Sequence, residues 1–70
     1  MTPYKQTAPD CYVGPNGETF RREKGVTPNG NPVANRWVLR DASGAWIDYH
    51  TYRHDLAEHN EIRLVPRSAA

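Results

Sequence analysis

Three histidines fall within ten residues of one another, His50, His54 and His59, and Glu58 lies among them. On a continuous helix His50, His54 and Glu58 would share one face at four-residue steps, a spacing able to hold zinc. Two features oppose that reading. His50 falls where a strand gives way to a helix, so helical spacing need not hold there, and the only other soft ligand is the lone Cys11. Exposed or capping histidines are the simpler alternative, and no metal or other cofactor is expected. Ser43 and Ser68 sit in a turn and a tail without the strained elbow that activates a nucleophile. Asp55 and Glu58 lie one helical turn apart on an exposed face, with no cause for a raised pKa. Gly14-Pro15-Asn16-Gly17 lacks the lysine and helix that complete a phosphate loop. These residue types predict a protein that is not an enzyme.

Arginine and tryptophan carry the other chemistry, and the stretch Arg36-Trp37-Val38-Leu39-Arg40-Asp41-Ala42-Ser43-Gly44-Ala45-Trp46-Ile47-Asp48-Tyr49 holds most of it. Two runs of β-branched and aromatic residues flank a Ser-Gly turn, the pattern of a β-hairpin. With Gly44 left-handed in a three-residue loop, Asp41 faces Ala45, Arg40 faces Trp46, Leu39 faces Ile47, Val38 faces Asp48 and Trp37 faces Tyr49. That register gathers Trp37, Leu39, Ile47 and Tyr49 on a core face. It leaves Arg36, Val38, Arg40, Trp46, Asp48 and His50 on the other, where Arg21 or Arg22 could join them. Arginine beside tryptophan suits cation–π contact and is enriched at binding hot spots. The candidate partner-binding residues are therefore Arg22, Arg36, Arg40, Trp46 and His50. The alternative is that the N-terminal arm or the helix covers Trp46 and makes a second core.

The remaining elements must position that hairpin. Residues 1–9 contain Pro3 and Pro9 and have Tyr4 as their one large anchor, so a flexible arm is expected. Cys11-Tyr12-Val13 and Glu18 to Arg22 flank Pro15-Asn16-Gly17, which suits a type I turn closed by glycine. Tyr12 should pair with Phe20 and Val13 with Thr19. Lys24 to Asn35, with two glycines and two prolines, is expected to be a long connection anchored by Val26 and Val33. Thr51 is an N-cap candidate and Asn60 a left-handed stop for a helix that buries Tyr52, Leu56 and His59. Ile62 to Val65 could add a short strand. One domain over residues 10–65 is expected, with 66–70 a disordered tail. Its class is α+β: a small antiparallel sheet of three to five strands with one C-terminal helix packed against it.

Seventy residues, 37% hydrophobic and interrupted by six prolines and five glycines, bound the core to a small one. The net charge of +1 excludes a global basic field. The halves differ: residues 1–40 carry six bases against three acids, and residues 41–70 carry three against five. A bipolar surface suited to steering a charged partner would follow. One cysteine excludes a disulfide framework, and no apolar run is long enough for a membrane helix. A cytoplasmic monomer without membrane contact is expected.

The order of elements over residues 11–60, with Arg36-Trp37-Val38-Leu39, Gly44 and Ala45-Trp46-Ile47 before the helix, resembles two types of three-stranded-sheet DNA-binding domain. They are the plant AP2-type and the phage integrase arm-binding type. The likeness is one of topology. It implies a sheet lying in the major groove and readout by residues such as Arg22, Arg36 and Arg40. Hairpin followed by helix is also similar to the His-Asn-His nucleases, but those place a catalytic histidine on the strand that is Arg36 to Arg40 here. In its size and lack of a catalytic motif the chain resembles small phage and mobile-element proteins. Several of these bind and redirect a host machine, inhibitors of bacterial RNA polymerase among them. That likeness implies a binding module with a protein–protein patch of Trp, Tyr and Arg, acting in the host cytoplasm. Sequence-specific DNA binding by the same sheet face is the second expectation, and a metal-dependent enzyme the third.

Overall fold

Both turns form as their residues dictate. In the computed structural model, which describes residues 1–26 and 32–67, Gly17 and Gly44 take φ of 87° and 91°. These values suit glycine, which lacks the Cβ that would clash there. At the first turn the Gly14 N–H donates to the Glu18 carbonyl at 2.9 Å, and at the second the Asp41 N–H donates to the Ala45 carbonyl at 2.9 Å. Asp41 Oδ1 also accepts from the Ser43 N–H, the Ser43 hydroxyl and the Ala45 N–H. The Ser43 hydroxyl bond above all, with the backbone bonds, holds the Asp41 carboxyl below the usual carboxylate range.

Six strands and one helix follow: β1 (Thr2–Ala8), β2 (Cys11–Val13), β3 (Thr19–Val26), β4 (Pro32–Arg40), β5 (Trp46–His50), α1 (Arg53–His59) and β6 (Ile62–Val65). They form one sheet in the order β5-β4-β3-β2-β1-β6. Neighbours are antiparallel except β1 and β6, which run parallel with Thr2 opposite Ile62 and Tyr4 opposite Leu64. The class is α+β as expected. The sheet is wider than three to five strands and mixed rather than antiparallel, and the short strand expected over Ile62 to Val65 follows the helix. The segment from β5 through α1 to β6 runs from one sheet edge to the other, which is why β6 can pair with the first strand.

The core lies between the sheet and α1. Tyr4, Tyr12, Phe20, Trp37, Leu39 and Ile62 meet Leu56 and Ala57 from the helix, and Phe20 and Leu56 are fully buried. Phe20 is central, with Tyr12 edge-on at 5.9 Å, Tyr4 edge-on at 6.3 Å and Trp37 tilted at 5.6 Å. Each such pair adds about 0.5–1.5 kcal/mol beyond its buried area. Tyr12 faces Phe20 and Val13 faces Thr19, the pairing the turn predicts.

Several expectations need correction. The N-terminal arm is strand β1, paired on both sides. Tyr4 fixes it, only 4% exposed and packed over Gly14, where a Cβ would stand 2.6 Å from the Tyr4 ring. The long connection from Lys24 to Asn35 shortens, because β3 runs to Val26 and β4 starts at Pro32. The anchoring side chains expected at Val26 and Val33 lie outside the described residues, as does the tail at 68–70. Thr51 does not cap the helix, whose N-cap is Tyr52 without a side-chain bond. Asn60 has φ −110° and Glu61 takes the left-handed turn instead, at φ 53°. The Asn60 amide serves the helix end differently, donating to the Leu56 carbonyl at 2.9 Å and to Asp48 Oδ2 at 3.0 Å. Tyr52 and His59 are exposed, so Leu56 and Ala57 are the helix's buried pair.

Candidate binding face

One side of the sheet has no helix over it, and cross-strand register defines its composition. Val65, Lys5, Val13, Thr19, Arg40 and Trp46 form one row from edge to edge. Cys11, Arg21, Val38 and Tyr49 form the next, Glu23 and Arg36 a third, and Arg63 sits opposite Pro3 at the β6 edge. Lys5, Arg21, Arg36, Arg40 and Arg63 thus meet a single acid, Glu23. The other four bases and seven acids of the chain lie in the turns, the loops, the helix and the covered side. The bipolarity expected between sequence halves is therefore one between faces.

The expected hairpin register holds at the turn and then slips. Arg40 faces Trp46, but Leu39 faces Asp48, Val38 faces Tyr49 and Trp37 faces His50. Ile47 is the extra residue of a β-bulge, which reverses the facing of every residue after it. Ile47 and Tyr49, expected in the core, are 51% and 37% exposed. Asp48 and His50, expected on the binding face, turn toward the helix. His50 Nε2 approaches Asp48 Oδ2 at 3.4 Å, and its ring lies 4.5 Å from that of His59. Burial alone would raise the Asp48 pKa, but bonds from Asn60 and the Tyr49 N–H, with His50 nearby, leave it below the ordinary value.

Arg22 also leaves the set. It lies opposite Trp37 on the covered side and meets Asp10 at 3.1 Å, both about half exposed. Arg21 takes its place. Arg36, Arg40 and Trp46 stand where the sequence puts them, and Tyr49 is the member the regular alternation misses. His50 is on a strand, so His50, His54 and Glu58 do not share a helix face. Among the described residues no three His, Cys, Asp or Glu side chains gather as ligands for a metal ion.

The face is built of guanidinium groups laid on rings. The Arg40 guanidinium lies 5.2 Å from the Trp46 ring and that of Arg36 lies 5.5 Å from Tyr49, while the two rings meet edge-on at 5.3 Å. Arg40 Nε and Nη2 donate to the two Glu23 carboxylate oxygens at 2.8 and 2.9 Å, and Nη1 donates to the Gly44 carbonyl at 2.6 Å. That bidentate bond, with the Arg40 charge, holds the Glu23 pKa down against its partial burial. In register Thr19 faces Arg40 and Glu23 faces Arg36, so the pair reaches about 13 Å along the strands. It passes over Val38, which is 1% exposed although no helix covers it. Trp46 is half-buried and stands outside the aromatic core. The alternative of a second core formed beneath the arm or the helix is replaced by this polar strap.

No helix among the described residues is long and apolar enough to cross a membrane. Comparison of the chain with protein-family models, curated proteins and solved structures gives no match.

Proposed function

We propose that the protein is a non-catalytic binding module that docks through the open face of its sheet onto an acidic surface of a host protein complex in the cytoplasm. The observation carrying this reading is the segregation of five bases and one acid onto a face that also presents Trp46 and Tyr49. Trp, Tyr and Arg are the residue types enriched at interface hot spots, and rings already held by guanidinium groups lose little freedom on docking. The transcription machinery, bacterial RNA polymerase above all, is the partner class that the likeness to small phage proteins implies.

Duplex DNA is the second reading, favoured by the same charge. It is the weaker one, because Arg40 is occupied by Glu23 and Gly44. Only Lys5, Arg21 and Arg63 are exposed bases of this face without an ion-pair partner among the described residues. Three phosphate contacts would give a salt slope near −2.7, far short of that of proteins making six to ten.

Capture from host lysate followed by mass spectrometry tests the proposal when run with paired variants. The same partner should be retained by Arg22→Ala and lost with Trp46→Ala and Arg21→Glu. Alkylation of Cys11, half-buried on the same face, should slow in the complex. Equal capture by all variants would sink the reading, and retention on duplex DNA with a salt slope near −2.7 would replace it with the second.

A further inference from the structure

We propose that the cleft between the start of α1 and the β1–β6 edge binds a carboxylate carrying a small apolar group. The cleft encloses about 390 Å³ and is lined by Gln6, Tyr12, Arg53, Leu64 and Pro66, within the size range of small-ligand sites. Tyr12 and Leu64 belong to the covered side of the sheet, so the site does not depend on the open face or on the function proposed for it.

The hydrogen-bonding inventory decides the ligand's charge. Gln6 is occupied: its Nε2 donates to the Pro9 carbonyl at 3.1 Å, and its Oε1 accepts from the Arg67 N–H at 3.0 Å. Arg53 carries five N–H donors, and among the described residues only one side-chain bond uses them. That bond is a long one, 3.4 Å from Nη1 to the Tyr12 hydroxyl oxygen. Accepting there leaves the hydroxyl hydrogen to donate, and no acceptor takes it among the described residues. The cleft thus offers a cation and several unused donors against the remaining lone pairs of the Gln6 and Tyr12 oxygens, while Leu64 and Pro66 supply an apolar wall.

A carboxylate fits this set, because the planar guanidinium donates to both its oxygens while the phenol donates to one. A cation would be repelled by Arg53. A phosphate dianion would find a single guanidinium. Among the described residues no acid forms an ion pair with Arg53: Asp55 faces His54 at 3.4 Å, and Asp48 is engaged by Asn60 and His50. A peptide C-terminus and a free short-chain acid share the required chemistry.

The test titrates the full chain with 3-methylbutanoate and with an acetylated dipeptide ending in leucine, as free acid and as amide. Inorganic phosphate serves as control. The readouts are the Arg53 Nε–H resonance and tryptophan emission, since the Arg53 guanidinium lies 5.8 Å from the Trp37 ring. Saturable binding of at least one free acid is expected, with the amide and phosphate inert. Arg53→Gln, at an exposed position, should keep the melting temperature and weaken binding about tenfold, and Tyr12→Phe should weaken it about threefold. Binding by both acids makes the site a receptor for small carboxylates, and binding by the peptide alone makes it a reader of chain ends. The proposal is overturned if neither acid saturates, if the amide binds as well as the acid, or if Arg53→Gln binds like the wild type.

Discussion

Removing the Arg40 guanidinium should destabilise the whole domain, although it lies on the face opposite the core. Arg40→Met keeps the stem over Trp46 but takes away both bonds to Glu23 and the one to Gly44. The two side chains are 28% and 24% exposed, between the surface pairs worth about 0.2–1 kcal/mol and the buried pairs that cost about 3–5 kcal/mol to break. A loss of about 2 kcal/mol is expected at neutral pH, roughly 8–16 °C in melting temperature for a domain of this size. A double-mutant cycle with Glu23→Gln in urea should give a coupling of about 1.5 kcal/mol. The folded-state pKa of Glu23 lies below its ordinary 4.5. Its stabilisation is therefore complete above that value and lost as pH falls through the folded-state pKa. A coupling under about 0.5 kcal/mol at pH 7 would refute the strap. So would a coupling that persists after the carboxyl has been protonated.

Three other perturbations probe positions away from the strap. Burial, assisted by the Glu18 charge and hydrogen bond, pushes the Tyr4 hydroxyl from 10.0 up to about 12. Its folded pKa is raised, so stability should fall as pH climbs from about 10 to 12, and Tyr4→Phe should flatten the decline in pH-dependent melting. Gly14→Ala would push a methyl group into the Tyr4 ring 2.6 Å away, and urea denaturation should show a loss of about 1–3 kcal/mol. Glu61 holds φ 53° without being glycine, so Glu61→Gly should raise the melting temperature by the equivalent of about 0.5–1 kcal/mol.

Local chemistry was legible where one residue decides one conformation. Gly17 and Gly44 set their turns, and the first turn fixed Tyr12 opposite Phe20. The bulge at Ile47 was not legible, because regular alternation already places one ring of β5 in the core and one on the open face, and no turn residue marks the extra position. Alternation alone chooses Trp46 with His50, whereas the bulge sets Trp46 beside Tyr49. Choosing needs the partner that makes burial of Asp48 tolerable, and that partner is Asn60, a helix away. Strand β1 was hidden for another reason. Pro3 and Pro9 read as breakers, whereas the pairing that orders the segment comes from β6 at the far end of the sequence, and parallel pairing leaves no turn signature. Of the candidate residues, Arg36, Arg40 and Trp46 precede the bulge or lie across from it and kept their face. His50 follows it and did not. Arg22 lost its place to Arg21 because alternation along β3 puts it on the same side as Phe20, the centre of the core.

The parallel pairing of β1 with β6 has a consequence for how the chain comes off the ribosome. The Arg67 N–H that reaches Gln6 closes a loop of 61 positions, so β1 waits for the synthesis of β6 before its outer row of amides is satisfied. Until then a nascent chain exposes the edge beside Tyr4, where another molecule's strand could add itself. Removing β6 should therefore leave a species prone to self-association.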